Sequence, residues 1–317
     1  MTVASAARAA SHDVVIIGGG IAGLTAATVL GRARRRVAVI DAGYPRNSPA
    51  GHVHGFPSRD GVDPEHLLEL CRSDLERYDV EVLSGRAKQL EPDRSVKLAD
   101  GRVLRGRHVV IATGLRDVLP EVSGARERWG KDLLQCPYCH GWEVADRPLV
   151  VLGSSPSAVQ QAFLVRSFSS EVTLIVQEGL DLTSEDARSL AAMGVQIVEG
   201  AAVNLLVHDD ALTGVKLADG RQLDCRAVFC EPGASVDPLP WSVPGCRRDA
   251  DGCLETDAAG RTGAYGVWAV GNVTDPSSQV VAAAGDAYRL AVSLNAELLE
   301  EDVRAALSAG EREGASL

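Results

Sequence analysis

Positive charge is in deficit in this sequence. Its 32 lysines and arginines face 43 aspartates and glutamates, a formal net charge of −11, and its calculated isoelectric point lies near 5.2. Nucleic acids and acidic membrane surfaces recruit basic patches, so this balance argues against either as a partner and leaves small molecules as the expected ones. The arginine cluster of Arg32 with Arg34, Arg35 and Arg36 falls at the end of an expected helix. Cations complement the negative end of a helix dipole there, and the cluster is read as solvated. The opening stretch MTVASAARAASH has one arginine and no apolar run long enough for a signal peptide or a membrane span, so a cytoplasmic, disulfide-poor setting is expected. A second closely spaced cysteine pair is also missing. Of the seven cysteines, only Cys136 and Cys139 are two residues apart. Tetrahedral zinc wants a second ligand pair, which Cys71, Cys225, Cys230, Cys246 and Cys253 do not supply, so no metal is expected and these five are read as buried or incidental thiols.

What is present begins with that pair. Cys136-Pro137-Tyr138-Cys139 is followed at once by His140. Such spacing brings two sulfurs within bonding reach and lets them cycle between dithiol and disulfide. His140, with an ordinary pKa of about 6.5, is the candidate base for thiols that ordinarily ionise near about 8.5. Glu143 is the candidate to hold its imidazole, and Tyr138 and Trp142 are candidates to line an apolar substrate slot.

At 317 residues the chain suits about two domains of roughly 100 to 200 residues each. Two glycine-rich units mark them. An apolar strand at residues 13–17 runs into Gly18-Gly19-Gly20-Ile21-Ala22-Gly23, then a helix at 24–34 and a strand at 37–40 ending at Asp41. This is a dinucleotide-binding βαβ fingerprint. Gly18 permits the tight turn, Gly20 lets a pyrophosphate approach the helix N-terminus, Gly23 allows helix to pack on strand, and Asp41 accepts from a ribose hydroxyl. The second unit starts with Leu149-Val150-Val151-Leu152 and Gly153-Ser154-Ser155-Pro156-Ser157-Ala158, with a helix to about Phe168 and a strand at 172–176. Its chemistry is degraded. Ser155 replaces the second glycine, Pro156 removes a backbone donor, and Gln177-Glu178 offers no arginine for a 2′-phosphate. The expectation is a βαβ scaffold retained without NADPH.

Each unit is followed by a similar segment, Leu98-Ala99-Asp100-Gly101-Arg102 and Leu217-Ala218-Asp219-Gly220-Arg221. Asp-Gly between apolar runs signals a tight hairpin, and the repetition suggests two homologous α/β domains. Proline and glycine near 115–124 and 231–245 mark the crossovers between them. From about Gly245 the chain returns to the first domain, with a strand in Tyr265-Gly266-Val267-Trp268-Ala269-Val270-Gly271-Asn272 and a small-residue helix at 279–299. A glycine turn leading into a helix N-terminus suits the polar middle of a flavin nucleotide.

The order of these pieces, with Ala112-Thr113-Gly114 between the first fingerprint and the cysteines, resembles the low-molecular-weight thioredoxin reductase family over essentially the whole chain. The resemblance implies two Rossmann-like domains, with a discontinuous FAD domain at 1–117 and 245–317. An inserted NADPH-domain-like unit at 118–244 would carry the CxxC against the isoalloxazine ring. It places Gly18, Gly20, Ile21, Ala22, Gly23, Asp41, Ala42, Thr113, Gly114, Gly271, Asn272, Gln279 and Val280 around FAD, with Asn272 replacing the family's usual aspartate. Within the family, Cys136-Pro137-Tyr138-Cys139-His140-Gly141-Trp142 resembles the gliotoxin and holomycin type of dithiol oxidases. Arg46-Asn47 and the His52-Val53-His54-Gly55 stretch look like that branch as well, which adds Arg46, Asn47 and His52 to the implied cofactor set. The implied activity is oxidation of a natural-product dithiol, such as a dithiolopyrrolone or an epidithiol, to its intramolecular disulfide. Cys136 would be the sulfur attacked, Cys139 the one that passes electrons to FAD, and O2 the final acceptor, giving H2O2. A homodimer is implied too. An NADPH-dependent thioredoxin-like reductase, with electrons running the other way, and a flavin-binding sensor without turnover stay open.

Overall fold

The computed structural model describes residues 12–239 and 243–314. The N-terminal stretch read above for a leader therefore lies, apart from His12, outside the described residues. The chain divides into two compact units. One gathers the described residues up to Arg46, Glu65–Arg116 and those from Ser235 onward; the other gathers Asn47–Pro64 and Asp117–Ala234. The segment Asn47–Pro64, which the sequence reading runs into the first domain, thus packs with the second.

The first unit is built on a seven-stranded sheet. Strand His12–Ile17 lies between Val37–Asp41 and Val103–Ile111 and parallel to both. Val267–Ala269 then adds in parallel beyond Val103–Ile111. The strands at the centre are buried on both faces, as continuous apolar runs such as Val14, Val15, Ile16 and Ile17 require. Helix Ile21–Arg32 crosses one face and packs on the C-terminal helix Val280–Gly314 through Ala26, Ala27 and Leu30 against Ala287, Leu290 and Leu294. Alanines there let the two backbones approach, and each buried leucine contributes about 1.5 to 3 kcal/mol. The first helix ends where Arg34 turns left-handed (φ 62°), with Arg34 N–H donating to Gly31 and Arg35 N–H to Leu30. The arginines around this turn are not simply solvated. Arg35 donates to Asn295 and Asp302, each at 2.7 Å, Arg36 pairs with Asp13, and Arg32 reaches the Tyr78 hydroxyl.

The second unit repeats the plan on five strands. Leu149–Gly153 lies between Val172–Val176 and Ala227–Cys230, parallel to both. The short strand Leu133–Leu134 adds outside Ala227–Cys230 and leads to the cysteine pair. The two hairpins match in detail. Gly101 and Gly220 have φ of 91° and 93°. Leu98 and Leu217 each donate N–H to the arginine carbonyl across the turn, at 2.9 Å. Asp100 and Asp219 each accept the N–H of Arg102 and Arg221 at 3.0 Å. Such matching supports a duplicated domain. The fold is thus a pair of Rossmann-type α/β units. Among the described residues no helix is long and apolar enough to cross a membrane.

Candidate active site

At the carboxyl ends of the first unit's strands, the glycine motif makes an open cradle. Gly18 (φ 117°) has no room for a side chain, since a Cβ there would collide with the Ala112 carbonyl. Gly23 is packed as tightly, against the carbonyl of Gly18. Gly20, the N-cap of helix Ile21–Arg32, faces open space instead, with nothing within 4 Å of where its Cβ would be. Its neighbours Ile21, Ala22 and Gly23 form the first helical turn, whose amides have no intrahelical acceptors. That combination is able to receive a pyrophosphate.

Other expected residues converge on the same cradle. Gly19 packs against the Asp41 side chain. Asp41 Oδ1 accepts the Gly43 N–H at 2.8 Å and Oδ2 accepts from Arg72 at 3.0 Å, so the carboxylate is held at the strand end beside exposed Ala42. The Thr113 hydroxyl is buried with no hydrogen-bond partner among the described residues, and Gly114 is left-handed (φ 64°) with open space beside it. Gly271 (φ 82°) comes close to Ala22, its would-be Cβ 3.1 Å from the alanine's. Asn272 turns its amide nitrogen to the carbonyls of Asp275 and Ser278, both at 2.9 Å. Arg46 donates to the Pro276 carbonyl at 2.7 Å. Both therefore act by fixing the turn that delivers Gln279 and Val280 to the start of the C-terminal helix. An open glycine at a helix N-terminus, an acid at the next strand end and an orphaned buried hydroxyl fit a flavin dinucleotide. Asn47 and His52, expected around the same cofactor, belong to the second unit.

In that second unit Cys136 and Cys139 form a disulfide across one turn of the short helix Pro137–His140, with Cα atoms 5.3 Å apart. Cys139 N–H donates to the Cys136 carbonyl at 3.1 Å, and Gly141 lets the turn press on Phe168, where a side chain would clash. Tyr138 and Trp142 flank the disulfide with both rings exposed. His140 is half-buried, and burial pushes its imidazole below the ordinary histidine range. The Glu143 charge opposes this shift, while those of His54 and His52 add to it. Glu143 does not hold His140 as expected. Its Oε1 lies 3.4 Å from Nε2 of His54, whose Nδ1 faces Asp60 at 3.3 Å, because the loop closed by Val53 and Val62 swings His54 into that space. His54 is thus a site residue whose role went unread in the sequence; the His-Val-His spacing was its only signal.

The five remaining cysteines are not part of this chemistry. Burial pushes Cys225 and Cys230 up to about 12 and raises Cys71, Cys246 and Cys253. In the second βαβ unit, Pro156 caps helix Ser157–Arg166. Ser155 and Ser157 both donate to the Glu231 carboxylate at the helix start, Ser155 at 3.0 Å. The Gln177 side chain is engaged by the Ala202 N–H.

The family model described as pyridine nucleotide-disulphide oxidoreductase matches residues 12–287. The chain is 29% identical to the thioredoxin reductase sirT of Leptosphaeria maculans, over 92% of this chain and 96% of that one. It is 25% identical to the thioredoxin reductase of Bacillus subtilis, over 92% and 97%. Among solved structures, HlmI is similar with a TM-score of 0.89 and 48% identity, covering 95% of this chain and 96% of its own. An oxidoreductase from Agrobacterium tumefaciens gives 0.84 and 32%, covering 91% and 98%. This chain belongs to the pyridine nucleotide-disulphide oxidoreductase family, in its thioredoxin-reductase-like branch, and is an oxidoreductase whose cofactor is FAD.

Proposed function

We propose that this enzyme oxidises a small-molecule dithiol to its intramolecular disulfide, with O2 reduced to H2O2. The observation that carries the reading is the Cys136–Cys139 disulfide with half-buried His140 on the same turn and two exposed aromatic rings beside it. The exposed rings of Tyr138 and Trp142 offer apolar surface to a compact organic dithiol. The likeness to HlmI and sirT over nearly whole chains supports the reading.

The chain's own steps follow thiol–disulfide exchange. A neutral His140 takes the proton of a substrate thiol, and the thiolate attacks Cys136, breaking the Cys136–Cys139 bond and expelling Cys139 as a thiolate. The substrate's second thiolate then attacks its own sulfur in the mixed disulfide, expelling Cys136 and releasing the cyclic product. Bound FAD supplies the two-electron oxidation that restores the Cys136–Cys139 bond and the passage of those electrons to O2, so that dithiol plus O2 yields disulfide plus H2O2. Around FAD we assign the first unit's Gly18, Gly20, Gly23, Asp41, Thr113, Gly114, Gly271 and Gln279, with Asn272 and Arg46 holding the turn. A natural-product dithiol, a cytoplasmic setting and a homodimer belong to the same reading; fold likeness alone does not choose the substrate.

The rival is an NADPH-dependent disulfide reductase, favoured by relatives that bear the name thioredoxin reductase. The deciding experiment follows the flavin's visible absorbance anaerobically, first with NADPH and then with a small dithiol such as dithiothreitol. No response to NADPH, bleaching by the dithiol and recovery in air with peroxide formed is the expected result. Rapid bleaching by NADPH overturns the proposal.

A further inference from the structure

The two βαβ units differ at one matched position. In the first, strand Val103–Ile111 pairs Ile111 with Ile17 and continues into Ala112-Thr113-Gly114 beside the Gly18 turn. In the second, strand Ala227–Cys230 pairs Cys230 with Leu152 and continues into Glu231-Pro232-Gly233 beside the Gly153 turn. Where the first unit has the small Ala112, the second has Glu231. Its carboxylate accepts from Ser155 at 3.0 Å and from Ser157, and the two hydroxyls lie 2.7 Å apart. Ser157 is the first residue of helix Ser157–Arg166, so this anion stands at the helix's positive end, where a dinucleotide would put its pyrophosphate. The first-turn donors are turned inward as well: Ala158 N–H donates to Ser155 O at 3.1 Å and Val159 N–H to Pro156 O at 3.3 Å.

We infer that Glu231 is a specificity determinant that excludes pyridine nucleotides from the second unit by occupying their phosphate position with its own carboxylate. The inference rests on the dithiol-fed reading above and deepens it, by naming what keeps the enzyme's electrons from coming from NAD(P)H. A resident carboxylate satisfies the serine hydroxyls and the helix dipole at no ordering cost on arrival, and its charge repels an incoming diphosphate. Gln177-Glu178, just past the next strand Val172–Val176, offers no arginine to a 2′-phosphate, so the nucleotide closest to acceptance is NAD(H), not NADP(H).

The test is titration of the purified FAD-loaded enzyme with NAD+ by calorimetry, in wild type, Glu231→Gln and Glu231→Asp, with dithiol turnover measured on the same samples. Glu231→Gln keeps the serine hydrogen bonds and removes the charge. It is expected to bind NAD+ at least tenfold more tightly than wild type, while Glu231→Asp stays like wild type and all three oxidise dithiol at equal rates. Equal NAD+ affinity in Glu231→Gln and wild type, with dithiol turnover intact, overturns the role of Glu231 and leaves the proposed function standing. Tight NAD+ binding by wild type overturns it too. Failure of every sample to turn over dithiol, by contrast, overturns the function.

Discussion

Glu143 stands 3.4 Å from His54, oxygen Oε1 to nitrogen Nε2, and acts on His140 through charge alone. Burial holds His140 below the ordinary histidine value, and Glu143 is the neighbour that opposes this. His140 is therefore neutral, and able to take a proton, at pH values where an ordinary histidine near about 6.5 is already charging. The acid limb of dithiol turnover is expected below that value. Replacing Glu143 with Gln removes the anion that favours imidazolium, so the limb moves to still lower pH. His140→Gln should cost roughly 10²- to 10⁴-fold at neutral pH and leave a rate that climbs toward the thiol range near about 8.5. Steady-state pH profiles of the three proteins check this. An unchanged acid limb in Glu143→Gln would show that His140 is not the titrating base.

Burial separates the half-buried redox pair from Cys225 and Cys230. After reduction, a chromogenic disulfide reagent should react rapidly with Cys136 and Cys139. Cys225 and Cys230, buried and pushed up to about 12, should react only on unfolding, because the thiolate is the nucleophile. Cys136→Ser and Cys139→Ser are each expected to abolish turnover while keeping the bound flavin. Mass-spectrometric mapping of the labelled sites reads the first claim, and residual turnover in either serine variant would count against the second.

Much of the frame was legible because it rests on short-range rules. The strand at 172–176 was read to the residue, and both Asp-Gly hairpins follow from turn chemistry that needs no tertiary context. The C-terminal helix was read short, at 279–299, but runs Val280–Gly314; its first turns are fixed by packing on Ile21–Arg32, and its later ones by Arg35 and Arg107 gripping Asp302. The strand expected across 265–272 is only Val267–Ala269, since Gly266 and Gly271 both take positive φ. At the site, sequence neighbours such as Cys139 and His140 were singled out and distant partners were not. His54 meets Glu143, and Glu231 meets Ser157, only because loops and strand ends far apart in the chain converge. A side-by-side reading of Ala112-Thr113-Gly114 and Glu231-Pro232-Gly233 would have exposed the second pair.

Glycines in the first cradle divide into two kinds with opposite consequences. Gly20→Ala meets open space at an ordinary backbone angle (φ −77°), so the protein should fold with unchanged apoprotein melting. The added methyl would stand where the pyrophosphate approaches, and FAD affinity should fall at least tenfold. Gly18→Ala would strike the Ala112 carbonyl at φ 117° and cost several kcal/mol, of the order of 3 or more, through strain and overpacking. Thermal melts with and without added FAD distinguish the two. Parallel behaviour of the variants would refute the assignment of Gly20 to the phosphate.

A buried network ties the C-terminal helix to the sheet. Trp268 Nε1–H donates to His108 Nδ1 at 3.1 Å, which leaves the proton on Nε2 to donate to Glu301 Oε1, also at 3.1 Å. Arg107 and the Tyr265 hydroxyl donate to the same carboxylate. His108, Glu297 and Glu301 bring ligand atoms within 4.8 Å of one another, but hydrogen bonds already occupy His108 and Glu301, so the cluster is structural. Burial pushes His108 below its ordinary value against the pull of Glu301 and Glu297. Its folded value therefore lies below its unfolded one. The unfolded chain binds the extra proton, and the stability this confers is whole above about pH 6.5 and is lost as pH falls through that range toward the folded value. Glu301, held low by Arg107 against its burial, and Asp302, held low by Arg35 and then Arg107, add a second loss at more acid pH. His108→Leu should cost about 1 to 3 kcal/mol by stranding the indole N–H and a carboxylate lone pair. It should also flatten the fall in melting temperature between about pH 7 and 5. A variant that melts with the wild-type pH slope would mean that His108 does not carry this linkage.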